Sequence, residues 1–167
     1  EPYRRQRQMC IRDRLNSAEP VLYEDVLEFG NYLGVKLPED YVEFIVNANG
    51  GTPEPDMLYD FYDEVSEQEN TSVIRRFFSF FPNVECEKNN IKFIYNVMRR
   101  EKTIPVDMIP IADDPTGNVI CISLSSNDYG AVYFLNHEFE DSDTGYLMKS
   151  KITDSFKVFI EKLYPDE

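Results

Sequence analysis

The chain has one histidine, three cysteines and no apolar run approaching the roughly 20 residues of a membrane-spanning helix. A lone His137 leaves any Ser/His/Asp or Cys/His arrangement a single possible base. Cys10, Cys86 and Cys121 are odd in number and scattered, which excludes a disulfide framework and the paired spacing of a zinc site. They read as small thiols in a reducing compartment, and a cytoplasmic location is expected. The N-terminus lacks the apolar core of a signal peptide. Basic residues are scarce too: 17 Lys and Arg face 31 Asp and Glu, for a net charge of −14.

What is present suits a folded chain. Its 167 residues are 42% hydrophobic and 14% aromatic, enough for one domain that buries roughly 70% of the surface its unfolded form exposes. Global disorder and fibrous architectures are excluded. The charge is uneven: residues 1–20 hold five Arg against three acids, leaving 12 bases against 28 acids beyond them, a net of −16. Such a surface repels phosphate backbones and anionic lipid, so no direct nucleic-acid or membrane partner is expected. Acidity maintains solubility. Its sharper meaning is a basic protein partner drawn in by the field of the whole surface.

The first residues differ from the rest. Arg5-Gln-Arg-Gln-Met-Cys-Ile-Arg-Asp-Arg14 has no helical stripe or alternation, and it resembles read-through of a sequencing adapter. A basic nucleic-acid-binding arm is the alternative. Residues 1–15 are expected to be a non-native or disordered tail, and residues 16–167 a single domain.

Elsewhere the periodicity is readable. Val21, Leu22, Val26, Phe29 and Leu33 predict a helix over residues 19–33, with Gly34 as its C-terminal cap. Pro38, Glu39 and Asp40 suit the start of a second helix carrying Tyr41, Phe44, Ile45 and Ala48, stopped by Asn49-Gly50-Gly51. Met57 to Tyr62 reads as a strand, and residues 73–81 fit a strand and a helix equally. Residues 90–101 predict a helix with Arg99, Arg100 and Lys102 at its end. Strands follow over residues 108–112, 119–124 and 131–136, the last two forming a hairpin, with a further strand over 146–152. Thr153 is the expected N-cap of a closing helix that Pro165 stops. The predicted core is Phe44, Ile45, Ile111, Ile120, Ile122, Val132, Phe134, Phe156 and Phe159.

Several stretches in this order carry a resemblance. Leu37-Pro-Glu-Asp-Tyr41 precedes Asn49-Gly-Gly51; Ile109-Pro-Ile-Ala-Asp-Asp-Pro-Thr-Gly-Asn-Val-Ile-Cys-Ile122 is followed by Gly130-Ala-Val-Tyr-Phe134, His137-Glu138 and Phe156. Over residues 20–165 the chain resembles the SUKH superfamily, which includes a yeast cell-wall-synthesis regulator and many bacterial immunity proteins. One departure is the absence of Trp, which members often carry; Phe or Tyr has to fill that volume. The resemblance implies an α+β fold with a mainly antiparallel sheet of about five to six strands, flanked by N-terminal helices and a C-terminal helix. It implies a non-catalytic immunity protein that neutralises a cognate toxin, often a nuclease, by binding it. A nuclease is typically basic because it binds phosphate, and a body of −16 complements it. A regulatory or scaffold module of the same fold is the second reading, and a carboxylate-dependent hydrolase a distant third.

No catalytic site, metal site or cofactor is expected from the residues. Asp141-Ser-Asp-Thr-Gly145 begins like a calcium loop, but its Gly comes one place early and Ile152 stands where the closing Glu belongs. Asp113 and Asp114 form a candidate carboxylate pair that an Asp-Asp-Pro-Thr-Gly turn also explains. Asn49-Gly50-Gly51 lacks the Lys and hydroxyl of a phosphate loop. The candidate partner-binding residues lie in two acidic stretches. The first holds Asp56, Asp60, Asp63, Glu64, Glu67 and Glu69, with Tyr59, Phe61 and Tyr62 as aromatic anchors; the second holds Glu138, Glu140, Asp141 and Asp143.

Overall fold

A computed structural model describes residues 15–82 and 88–166. The expectations for residues 1–14, Cys10 and Cys86 lie outside the described residues. Leu15, assigned above to the tail, pairs with Pro53 and packs against the core.

Four helices and eight strands are seen among the described residues. Helix α1 spans Tyr23–Leu33 and begins later than its apolar spacing predicted, after Leu22 as an N-cap without a side-chain bond. Gly34 closes it in the left-handed region, donating its N–H to carbonyls of the last turn. Helix α2 spans Glu39–Asn47, with Pro38 as the N-cap rather than the first helical residue. Its exit turns sharply at two glycines of positive φ. A Cβ on Gly50 would meet the Phe78 carbonyl oxygen at 2.6 Å, and one on Gly51 the Asn16 carbonyl oxygen at 2.5 Å, so no other residue fits.

Strand β1 (Met57–Asp63) pairs antiparallel with β2 (Gln68–Ile74), and β3 is the short Arg76–Phe77. Residues 73–81 are thus extended and contain no helix. Helix α3 spans Ile91–Arg100, capped by the Asn90 side chain, which accepts from the Lys92 N–H. Strands β4 (Met108–Asp113), β5 (Val119–Ser123), β6 (Val132–Glu140) and β7 (Leu147–Thr153) form an antiparallel meander. Pro110 has no N–H to give a central strand, and the register shifts beside it. Helix α4 spans Phe156–Lys162. Its cap is Ser155, not Thr153: the Ser155 hydroxyl accepts from the Val158 N–H, while Thr153 ends β7. Asp40 of α2 accepts from the Lys157 N–H at 2.9 Å, tying the two helices together. Past Leu163 the chain continues as β8 (Tyr164–Pro165), paired with β1.

The architecture is α+β and antiparallel, as predicted. Its strands divide between a five-stranded sheet in the order β3-β4-β5-β6-β7 and a separate three-stranded sheet in the order β2-β1-β8. All nine residues of the predicted core are buried. In place of an indole, Phe44, Phe77, Tyr41 and Phe156 pack with ring centroids 5.0–5.1 Å apart. Phe61 of β1 meets Phe134 of β6 at 4.4 Å, holding the small sheet against the large one. Among the described residues no helix is long and apolar enough to cross a membrane.

Candidate partner-binding surface

The first acidic stretch forms the β1–β2 hairpin. Side chains alternate along a strand, so Met57, Tyr59, Phe61 and Asp63 point inward while Asp60 and Tyr62 point out. Two of the predicted anchors are therefore corrected. Tyr59 and Phe61 are fully buried core rings that no partner reaches, whereas Tyr62 is 45% exposed. Asp63 is also buried and shapes the turn. Its carboxylate accepts from the Val65 N–H at 3.0 Å, the Ser66 hydroxyl at 3.0 Å and the Asn70 amide at 3.3 Å. Burial works to raise this carboxyl's pKa, but these donors outweigh it and hold it below the usual aspartate value.

Asp56, Glu64, Glu67 and Glu69 are exposed, as is Asp60. Cross-strand partners share a face, so Asp60 sits beside Thr71, and Tyr62 beside Glu69. The Asp60 carboxylate accepts from the Thr71 hydroxyl at 2.7 Å and from the Tyr164 hydroxyl at 2.8 Å, and both bonds lower its pKa. Tyr164 was not predicted for this surface. It lies 104 residues from Asp60, and only the pairing of β8 with β1 brings it there.

The second stretch is at the end of β6 and the turn into β7. Glu138, Glu140 and Asp143 are exposed and Asp141 is half-buried. The Asp141 carboxylate accepts from the Asp143 N–H at 2.8 Å and so organises the turn. Phe139, passed over in the sequence, is 47% exposed between two of these acids. Its apolar character in an acidic run was the available signal. The two hairpins touch where the Glu64 N–H donates to the Ser150 hydroxyl of β7 at 2.9 Å.

The carboxylates weighed for chemistry have structural partners. Arg75 grips Asp113 with Nε at 3.2 Å and Nη2 at 2.5 Å. Asp114 accepts from the Thr116 and Asn118 N–H groups, both at 2.9 Å, and holds the turn shut. Asn118 in turn fixes His137: its Oδ1 accepts from the His137 backbone N–H at 3.0 Å and contacts ring Nδ1 at 2.7 Å. Among the described residues no three His, Cys, Asp or Glu converge as a metal site would require.

A Pro-capped helix closing on Asn-Gly-Gly, the Asp-Asp-Pro-Thr-Gly hairpin turn and a closing helix built on Phe156 define a SUKH-type α+β chain. The chain belongs to the SMI1 / KNR4 family (SUKH-1), whose model matches residues 20–162. No curated protein matches it.

Proposed function

We propose that the protein is a non-catalytic binding protein, an immunity protein that neutralises a basic, nuclease-type toxin by direct contact. The observation that carries this reading is the outward face of the small sheet and its turn. There Asp60, Glu64, Glu67 and Glu69 surround the exposed Tyr62 ring. Carboxylates spaced on a rigid hairpin substitute for the phosphates that a nuclease recognises, and they steer a basic surface toward the aromatic anchor. The second hairpin adds Glu138, Glu140 and Asp143 around Phe139. Family membership supports a protein partner over a small substrate.

The test uses basic nuclease toxin domains from the source genome, purified as inactive variants, in stopped-flow association at two ionic strengths. Association is expected to be fast and to slow steeply with salt. Reversing Asp60, Glu64 and Glu67 together to Lys should slow it at least tenfold while leaving the urea midpoint in place. Asp63 is excluded from that set because it holds the turn. An on-rate indifferent to both salt and these substitutions refutes the proposed contact face.

A further inference from the structure

Bases are as unevenly placed as acids. Seven of the 12 Lys and Arg beyond residue 20 fall between Arg75 and Lys102. The fold carries two of them, Arg76 from β3 and Lys88 from the approach to α3, to the border of a groove of about 350 Å³. Phe78, Met98 and Val119 give it an apolar lining, and the ring of His137 also borders it. None of these residues belongs to the acidic β1–β2 hairpin.

The groove has a charge left over. Asp113 borders it, but Arg75 already engages that carboxylate through two nitrogens. Arg76 stands 3.5 Å from the same carboxylate, its side chain 31% exposed, and its Nε is buried with no hydrogen-bond partner. Two guanidinium groups on one carboxylate leave one positive charge, held 5.7 Å over the Phe78 ring in partly desolvated surroundings. Glu101 is the other acid at the border, and Lys88 balances it. A guanidinium so placed is short of one carboxylate, since burying a charge costs stability until it is paired.

We infer that this groove binds an acidic and apolar peptide segment. A Glu or Asp side chain of the ligand pairs with the Arg76 guanidinium, and a neighbouring apolar side chain lies on Phe78, Met98 and Val119. One surplus charge beside hydrocarbon matches a carboxylate better than a phosphate dianion, and the volume holds two or three side chains. The site is opposite in sign to the acidic hairpins, so it stands or falls independently of the toxin contact proposed above.

The experiment titrates the full ¹⁵N-labelled chain with the acetylated, amidated tetrapeptide Phe-Glu-Leu-Ala, with its Gln counterpart, and with sodium hexanoate. The Glu peptide should give saturable shifts at the Val119 and His137 amides, and the Gln peptide should bind at least tenfold more weakly. Arg76→Gln should reduce Glu-peptide binding to the level of the Gln peptide, with a dispersed spectrum certifying the fold. Should that variant fail to fold, Arg76→Lys keeps the charge but loses the planar fork, and binding at least threefold weaker is expected. Equal binding of the two peptides, or no shift up to about 5 mM (a bound weaker than the ~1 mM affinity worth about 4 kcal/mol), overturns the inference. Hexanoate binding as tightly as the Glu peptide overturns the assignment to a peptide.

Discussion

Asn49→Ala should be among the most destabilising single substitutions in the chain, although the residue lies in a turn. The Asn49 side chain is 3% exposed and joins three segments. Its amide nitrogen donates to the Glu19 carbonyl at 2.7 Å and the Phe80 carbonyl at 2.9 Å, and its oxygen accepts from the Phe80 N–H at 2.7 Å. Removing it deletes three hydrogen bonds worth roughly 1 kcal/mol each and orphans the buried Phe80 N–H at a further ~1–3 kcal/mol. A loss of roughly 3–5 kcal/mol follows, a large share of the ~5–15 kcal/mol typical of a native protein. For a chain of this length that lowers Tm by roughly 10 °C or more. Urea unfolding provides the measurement, with Asn47→Ala as control. Asn47 bonds only the Glu43 carbonyl from an exposed position, and its loss should change stability by less than about 0.5 kcal/mol. Asn49→Asp sharpens the case because it keeps the shape and replaces the donor with an oxygen facing two carbonyls. Burial raises the new carboxyl's pKa, so this variant should be least unstable in acid and lose stability as pH rises. A cost below about 1 kcal/mol for Asn49→Ala would refute the clamp.

Phe156→Ala should cost on the order of 3–5 kcal/mol, because its buried ring contacts Tyr41 and Phe44 at centroid distances of 5.1 and 5.0 Å; a cost under about 1 kcal/mol would contradict that packing. Acid sensitivity should trace to Asp63 and Asp128. In both, burial works to raise the pKa, and stronger hydrogen bonds, from Ser123 and Tyr133 in the case of Asp128, pull it below the ordinary 3.8. Their contribution is whole above that value and is lost as pH falls through the lower folded one, so Asp63→Asn and Asp128→Asn should flatten the fall in urea midpoint between about pH 5 and pH 3. Unchanged slopes would refute this. Burial pushes the Cys121 thiol well above its normal pKa, so mass-spectrometric mapping should find it alkylated only on unfolding; rapid native labelling would refute its place in the core.

Local chemistry in the sequence determined the helices, most of the strands and the core. Tyr41, Phe44 and Ile45 recur at helical spacing, two glycines of positive φ end α2, and the apolar run Val119–Leu124 is a strand covered on both faces. The inward direction of Tyr59 and Phe61 was legible too, since Met57, Tyr59 and Phe61 alternate with Asp60 and Tyr62; grouping them by closeness in sequence obscured that period of two. Other features depended on contacts between distant residues. The division into two sheets, the hydroxyl of Tyr164 on Asp60, the Asn49 clamp and the meeting of Arg76 with His137 at one groove have no short-range signature. Periodicity records which side of an element is apolar. Which elements then face one another is decided when their apolar sides pack, and the polar contacts at the margins follow from that packing.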